Sequence, residues 1–265
     1  MAKLLTKLAG FGILAAIALG LYARYIEPKR LEVTELDLSS GDDPLTIAFV
    51  TDLHIGPHFS STDLEPTIAA LEQIQPDVVL FGGDFICESP RFLHDLEAPL
   101  QRMTAIARIG SWGIWGNHDI ANIRERVAPV LERCGVIMLT NESAQLYSDL
   151  WVVGIDDVLL GKADVEAAFA GVPEGDRTIA LWHEPDVAGR LAAYTPLVAL
   201  SGHTHGGQVR LPGIGALATP SLGKKYVTGH FNVDGLLLYV SRGIGIYRPP
   251  VRLNCRPELV VLRVD

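Results

Sequence analysis

The chain has few of the residues that build cross-linked or highly basic proteins. Only three cysteines occur in 265 residues, Cys87, Cys134 and Cys255, without C-x-x-C spacing, so neither a disulfide framework nor a zinc knuckle is indicated. Basic residues are outnumbered 22 to 31, and the net charge of -9 argues against broad, sequence-independent binding to a nucleic acid backbone. The composition, 48% hydrophobic and 20% charged, instead predicts one globular domain with a full core.

A long apolar run without charged residues lies near the N-terminus. It extends from Leu8 to Ala23, 16 residues, with lysines before it and Arg24 after it. A helix rises about 1.5 Å per residue, so this run covers about 24 Å of a hydrocarbon core that is about 30 Å thick. Basic side chains that snorkel and tyrosines at the interface can make up the difference. A retained membrane anchor over residues 1–30 is therefore the favoured interpretation.

Two alternatives for this segment stay open, a cleaved signal peptide and a buried core helix. Basic residues on both flanks of the apolar run leave its orientation in a membrane undecided. We assign residues 31–44 to a linker and residues 45–265 to a single folded domain.

Strand and helix signals alternate along that domain and predict an α/β fold. Short continuous apolar runs are typical of strands that are buried on both faces. They occur at residues 45–50, 78–81, 111–115, 136–139, 150–154, 178–182, 198–201, 236–241 and 259–264. Helices are predicted from Thr62, with Glu65 completing a capping box, and at residues 90–108 and 120–133.

Side chains that bind metals follow the ends of these strands. They are Asp52, His54, Asp84, Asn117, His118, Asp119, His183, His203 and His205. Loops at the carboxyl ends of strands in such sheets converge on one crevice, so the spacing predicts one site. The set is sufficient for two divalent ions about 3.5 to 4 Å apart. Asp84 follows two glycines that permit close backbone approach and is the expected bridging carboxylate. With no thiolate among the candidates, we expect Mn first, and Zn, Fe or Ni as alternatives.

Five segments resemble, in order, the motifs of the calcineurin-like metallophosphoesterases. They are Asp52-Leu53-His54, Gly83-Asp84, Gly116-Asn117-His118-Asp119, His183 and Gly202-His203-Thr204-His205. The resemblance extends over about Leu45 to Asp265. The segment from Gly202 to Gln208 and the closing Pro250-Val251-Arg252-Leu253 with Pro257-Glu258-Leu259 are similar to the membrane-associated YaeI/YkuE-type phosphodiesterase branch of that superfamily.

The resemblance implies a four-layer α/β/β/α sandwich with the site at one end of its two sheets. It also implies two metal positions that share one carboxylate: Asp52, His54 and His205 at the first, Asn117, His183 and His203 at the second, and Asp84 between them. A metal-bridging hydroxide would attack phosphorus. His118 would then protonate the leaving oxygen, oriented by Asp119.

The expected function is thus phosphoester hydrolysis of the phosphodiesterase or pyrophosphatase type at a bacterial inner membrane. The anchor and the apolar stretch Leu211–Leu217 favour a membrane-proximal, lipid-linked substrate, although a plain hairpin connection also explains the stretch. Because relatives hydrolyse UDP-2,3-diacylglucosamine, such a pyrophosphatase is one alternative. A non-catalytic membrane scaffold is another, which the complete ligand set disfavours. No nucleic acid partner is expected, and the oligomeric state stays open.

Overall fold

The structure is a computed structural model that describes residues 2–41, 44–87, 89–121 and 123–265, so residues 42–43 of the expected linker lie outside the described part. Its strands are β1 (Glu32–Asp37), β2 (Leu45–Val50), β3 (Val78–Phe81), β4 (Gly110–Gly113), β5 (Val136–Met138), β6 (Glu142–Tyr147), β7 (Leu150–Gly154), β8 (Arg177–Leu181), β9 (Val198–Ser201), β10 (Arg210–Leu211), β11 (Gly215–Ala216), β12 (Gly229–Val233), β13 (Leu236–Val240) and β14 (Glu258–Val264). Its α-helices are α1 (Ala2–Leu21), α2 (Glu65–Ile74), α3 (Leu93–Ile106), α4 (Asn117–Ile120), α5 (Arg124–Arg133) and α6 (Val165–Phe169). All nine predicted strands are present, with ends shifted by no more than two residues.

Most strands belong to two mixed sheets of six strands each. The first has the order β1-β14-β2-β3-β4-β5 and the second β12-β13-β9-β8-β7-β6, while β10 and β11 form a separate hairpin. Strands β2 to β5 are mutually parallel in the first sheet, as are β7, β8, β9 and β13 in the second. Each sheet therefore gathers the carboxyl ends of its parallel strands along one edge.

Alternate residues of the central strands enter different cores. In β2, Ile47 and Phe49 pack between the two sheets, whereas Ala48 and Val50 pack under α2, α3 and α5. The outer face of the second sheet is covered by α6 and by the helical segment Pro185–Tyr194. Burial on both faces is the reason why these strands are continuously apolar. The expected α/β class and four-layer α/β/β/α sandwich are confirmed.

Edge strands are where the structure departs from the sequence-based expectation. Part of the expected linker, Glu32–Asp37, is β1, which pairs in parallel with β14. Its residues alternate between half-buried and exposed positions, and a charged edge strand carries little hydrophobic pattern. For the same reason the polar strand β6 and the strand β12 were not predicted.

Two helix starts also differ from expectation. The capping box before α2 consists of Ser60 and Asp63, not Thr62 and Glu65: the Ser60 hydroxyl and main-chain N–H both donate to Asp63 Oδ2 at 2.9 Å. Ser60 is the last residue with extended backbone, φ -110° and ψ 172°, as a cap requires. The helix predicted at residues 120–133 is instead the short α4 followed by α5.

The N-terminal helix stands apart from these layers. The segment Gly10–Lys29 is long and apolar enough to cross a membrane by length and composition, and only 11% of it is buried. Phe11 is 74% exposed and Leu14 67%. The buried-core alternative is therefore wrong, whereas an anchor and a signal sequence both fit the helix.

The exit of this helix is bonded to a loop near the C-terminus. The Arg252 main-chain N–H donates to Ala23 O at 2.9 Å, and the Cys255 N–H donates to Oε1 of the buried Glu27 at 2.5 Å. The guanidinium of Arg252 is fully buried. It donates to the carbonyl oxygens of Arg242, Gly243, Gly245 and Cys255. One side chain thus holds this loop together.

Replacement of that side chain should destabilise the protein. In Arg252→Met the carbonyls of Arg242, Gly245 and Cys255 lose this donor, whereas Gly243 O keeps the Glu258 N–H. Buried polar groups without a partner cost roughly 1–3 kcal/mol each, so we expect a loss of roughly 3 kcal/mol or more. Urea unfolding of the full chain in detergent measures it. The control Arg126→Met, on the exposed side of α5, should change stability little, and an equal effect of both substitutions would contradict the assigned role.

Candidate metal centre

The loops that carry the expected site residues meet at one end of the two sheets. Asp52 and His54 follow β2, and Asp84 follows β3. The segment Asn117–Asp119 forms the first turn of α4 beyond β4, His183 follows β8, and His203 with His205 follows β9. The parallel strands of both sheets thus bring the side chains that can bind metals together, as their spacing in the sequence predicts.

The candidate ligand atoms form two groups that meet at the carboxylate of Asp84. In one group, atoms of Asp52, His54 and His205 lie within 4.8 Å of one another, and in the other the same holds for Asp84, His183 and His203. Asp84 Oδ2 is 3.3 Å from His54 Nε2 and 3.2 Å from His183 Nε2. A single carboxylate oxygen therefore faces both groups, which is the geometry that a bridging ligand needs.

Several buried polar atoms at this position have no hydrogen-bond partner among the described residues. They are both ring nitrogens of His54, His183 Nε2, His205 Nδ1 and Asn117 Oδ1. Each such atom costs roughly 1–3 kcal/mol when nothing compensates it. Imidazole, carboxylate and carboxamide atoms are donors that divalent metal ions accept. The residues present therefore fit bound divalent cations.

Two of the histidines have their ring orientation fixed by main-chain carbonyls. His183 Nδ1 donates to Gly82 O and His203 Nε2 donates to Ser221 O, each at 2.7 Å. A carbonyl only accepts, so the proton of a neutral ring must lie on that nitrogen, and the other nitrogen is left with a lone pair. Histidine ligands of metals commonly have such an outer hydrogen bond.

The ligand loops adopt backbone conformations that residues other than glycine rarely populate. Thirteen non-glycine residues in the described part have positive φ, and five of them are candidate ligands, Asp52, His54, Asp84, His203 and His205, with φ between 45° and 69°. Such conformations cost on the order of 1–3 kcal/mol each and persist where the surroundings enforce them. A side chain at Gly116 or Gly202 would collide with the carboxylate of Asp84 or Asp52, which explains the glycine that begins each of these two motifs.

Charges in the cluster are strongly coupled. Burial favours the neutral form of His54, but the neighbouring Asp84, Cys87 and Asp52 outweigh it and raise the pKa of His54 to about 10. Burial likewise disfavours the charged form of Asp84, but the adjacent His183 and His118 hold its pKa well below the usual range. Burial and neighbouring positive charges lower the pKa of His205. Without a cation, protons on the imidazoles balance the carboxylates, and a metal ion would displace them.

His118 differs from the other histidines in its exposure. Its ring is half-buried and lies 4.9 Å from that of His54, between centroids. Its main-chain N–H donates to Asp84 Oδ1 at 2.9 Å, so the residue also fixes the carboxylate that faces both groups. Burial lowers the pKa of His118, while the negative charge of Asp84 opposes that shift.

Asp119 has a different partner from the one expected. Its carboxylate accepts from the main-chain N–H groups of Asp84, Phe85, Ile86 and Gly116, at 2.7 to 3.3 Å, and no hydrogen bond joins it to the His118 ring within the described ranges. Burial first, and then the charge of Asp84, raise the pKa of Asp119 to about 7. The residue therefore holds the loop of Asp84 and does not orient His118.

A cleft of about 290 Å³ opens over the two groups. Its lining includes Gln208 and Tyr247, which were not predicted as site residues from the sequence, and Arg248, which the sequence suggests as a contact for substrate phosphates or as a solvated surface residue. The Tyr247 ring lies 4.7 Å from that of His118 and 5.6 Å from that of His54, between centroids. An aromatic wall thus stands beside the half-exposed histidine.

Gln208 fixes that wall to the loop of His205. Its Nε2 donates to the carbonyls of Tyr247 and Pro249 at 3.0 Å, and its Oε1 accepts from the Tyr247 N–H at 2.7 Å. The sequence does contain a signal for this role, because Gln208 comes directly after Gly-His-Thr-His-Gly-Gly.

A second group of buried carboxyls lies behind His183. Asp157 and Glu184 are fully buried, and Asp157 Oδ2 and Glu184 Oε1 have no assigned partner. Glu184 Oε2 accepts from the Val158 N–H at 3.3 Å. Burial first, and then the interaction with Asp157, raise the pKa of Glu184 to about 9. The Glu184 carboxyl is therefore protonated at neutral pH.

Comparison with known proteins identifies the family. The calcineurin-like phosphoesterase family matches residues 45–207. The metallophosphoesterase YkuE of Bacillus subtilis is 34% identical over 95% of this chain and 93% of its own length. The phosphodiesterase YaeI of Escherichia coli is 29% identical over 92% of each chain. The UDP-2,3-diacylglucosamine pyrophosphatase LpxG of Chlamydia trachomatis is 26% identical over 95% of this chain and 94% of its own length.

The chain belongs to the calcineurin-like phosphoesterase family. Membership makes it a metallophosphoesterase, and the family fold implies a dinuclear site for divalent metals, with which the two ligand groups agree.

The buried carboxyl pair should make stability fall at alkaline pH. Folding raises the pKa of Glu184 from 4.5 to about 9. The contribution of this carboxyl to stability is therefore fully present below about pH 4.5 and is lost as the pH rises through 9. In Glu184→Gln this part of the pH dependence should vanish. Chemical unfolding in a chelator at pH 5, 7 and 9 measures it, with the exposed Glu125→Gln as control. An unchanged dependence of stability on pH in Glu184→Gln would contradict the raised pKa of Glu184.

Proposed function

We propose that this member of the calcineurin-like phosphoesterase family is a metal-dependent phosphodiesterase or pyrophosphatase whose substrate lies at a membrane. The observation that supports it most is the single oxygen of Asp84 that faces two groups of histidine and carboxylate ligands under an open cleft. Two cations held about 3.5 to 4 Å apart suit an in-line displacement at phosphorus.

In this proposal every candidate ligand has one assignment. Asp52, His54 and His205 hold one metal, Asn117, His183 and His203 hold the other, and Asp84 contacts both. Bound cations neutralise the phosphoryl oxygens and lower the pKa of water so that it becomes a nucleophile at neutral pH. We expect Mn to be preferred over Zn, Fe and Ni.

His118 donates the proton that the leaving oxygen needs. Geometry also allows it as a metal ligand, because its ring nitrogen lies within 4.8 Å of ligand atoms of His54 and Asp84. Its ring is half-buried at the cleft, however, whereas the rings of His54, which also lines the cleft, and of His183 are buried. A proton donor must come within hydrogen-bond reach of the substrate, which favours the role of general acid. Asp119 positions the loop of Asp84.

The substrate is proposed to be lipid-linked because the chain begins with an apolar helix that is mostly exposed. LpxG, by its name, acts on UDP-2,3-diacylglucosamine, and a pyrophosphatase for such a nucleotide lipid is the second candidate. The YaeI name states phosphodiesterase activity. We place the protein at a bacterial inner membrane. A non-catalytic membrane scaffold is the third candidate. It is disfavoured because every expected metal-ligand position carries a residue that can bind a metal.

Activity assays test the proposal directly. The full chain in detergent with Mn should hydrolyse at least one of bis-p-nitrophenyl phosphate, p-nitrophenyl phosphate and UDP-2,3-diacylglucosamine, and a chelator should abolish turnover. Loss of a general acid lowers kcat by about 10²–10⁴-fold, so we expect that fall in His118→Ala. The exposed His94→Ala is the control. Two bound metals without turnover of any of the three compounds would favour the scaffold.

Metal binding itself gives a separate measurement. Because the pKa of His54 is raised to about 10, binding at pH 7 must release protons, and Mn affinity should rise from pH 6 to pH 8. Calorimetry in buffers of different ionisation enthalpy counts the released protons. Asp84→Asn should bind fewer metals per chain than wild type, whereas Asp234→Asn, on the exposed turn between β12 and β13, should bind the same number. Equal metal content in both variants would rule out the shared carboxylate.

A further inference from the structure

The hairpin of β10 and β11 carries an unusually exposed apolar tip. The segment Leu211–Leu217, called here the hairpin tip, contains no charged residue. Ile214 is 72% exposed and Leu217 56%, and among the residues from Gly10 onward whose side-chain exposure the structure describes, only Phe11 of α1 is a more exposed large hydrophobic residue than Ile214. A hairpin connection needs neither side chain, because the turn is closed by main-chain hydrogen bonds from Ile214 N–H to Leu211 O and from Leu217 N–H to Val209 O.

This hairpin and the exit of α1 are attached to the same short strip of chain. On one side, the Arg252 N–H donates to Ala23 O at 2.9 Å. On the other, the Arg210 N–H donates to Leu253 O at 2.9 Å and the Leu253 N–H donates to Gln208 O at 2.8 Å. Arg252 and Leu253 are adjacent, with Cα atoms about 3.8 Å apart. The apolar helix and the base of the apolar hairpin are therefore neighbours in a bonded unit.

The cleft over the metal groups opens beside the same unit. Gly207 and Gln208 precede the hairpin, Ala218, Thr219 and Pro220 follow it, and all five line the cleft. The segment Tyr247–Pro249 also lines the cleft, and Gln208 holds it in place. Another surface, such as a membrane, that contacted the hairpin tip would therefore lie next to the opening of the cleft.

We propose that the hairpin tip rests in the interface of the lipid bilayer that holds α1, so that the cleft opens at the lipid surface. The bilayer is the occupant that the structure favours, because main-chain hydrogen bonds through Arg252 and Leu253 join the base of the hairpin to the exit of the apolar helix α1. Basic residues Arg24, Lys29 and Arg30 follow the apolar run in a chain of net charge -9. Such residues suit the headgroup region of anionic lipids.

The inference rests on the proposed function and specifies its substrate class. A phosphoester whose apolar chains stay in the bilayer would reach the cleft with its phosphate, while a soluble phosphoester would need no contact with the hairpin tip. The two classes of substrate should therefore respond differently to changes at Ile214 and Leu217, since neither side chain lines the cleft.

Lipid contact is measured without reference to activity. The full chain carrying Ile214→Cys, labelled with a fluorophore, is reconstituted in nanodiscs with and without lipids that bear a nitroxide near the headgroup. The three native cysteines are buried, which favours labelling at the introduced one. The matched control is Tyr147→Cys, which is 63% exposed and lies with Leu45 and Asp77 at the opposite end of the sheets.

We expect fluorescence at position 214 to fall at least roughly twofold in nitroxide lipid, as for a side chain at the interface, and fluorescence at position 147 to stay unchanged. No quenching at position 214, or equal quenching at both positions, would overturn the proposal.

A second arm uses Ile214→Asn combined with Leu217→Asn. We expect the rate on a phosphoester embedded in vesicles to fall several-fold, and the rate on bis-p-nitrophenyl phosphate to match wild type. If the double variant matched wild type on both the vesicle-embedded phosphoester and bis-p-nitrophenyl phosphate, the proposal that docking presents the cleft to the lipid surface would be overturned. Quenching of the label in Ile214→Cys, together with no hydrolysis of any substrate by the wild-type protein, would leave the docking surface in place and contradict the proposed function instead.

Discussion

The carboxylate of Asp84 is the group on which the rest of the site depends. One of its oxygens faces histidines of both ligand groups, and the other accepts the main-chain N–H of His118. A fully buried carboxylate is costly unless positive charge surrounds it. Both sheets contribute to that charge, because His54 comes from the first and His183 from the second. The proposed cations would supply the remainder, and in their absence protons take their place.

Holding these groups together requires conformations that the chain would not adopt alone. Five candidate ligands have positive φ, and several of their buried atoms have no hydrogen-bond partner. The cores on both faces of the sheets provide the compensating stability, since the strands that precede the loops are fully buried. Single polar side chains then fix each loop: Asp119 binds the main chain after β3, Gln208 the wall of the cleft, and Arg252 the loop next to the apolar helix.

The same hydrogen bonds connect the apolar helix to the site. From Ala23 through Arg252 and Leu253 to Gln208 and then Tyr247, each step is a main-chain or side-chain hydrogen bond or a peptide bond. The orientation of the cleft relative to α1 is thereby set by bonded contacts. This arrangement is what a hydrolase of membrane-bound phosphoesters needs, because its substrate cannot leave the lipid surface to find the metals.

The sequence by itself determined the α/β class, nine of the strands and the set of residues that can bind metals. Strands buried on both faces are continuously apolar, and the loops that carry ligands follow their carboxyl ends. The sequence did not reveal β1 or β6, since an edge strand with one solvated side has little hydrophobic pattern. The partners of Asp119 and Gln208 are main-chain groups, which leave no mark on residue identity. Only the tertiary structure decided those contacts and placed Tyr247 beside His118, because such proximity depends on how two sheets pack and not on any spacing along the chain.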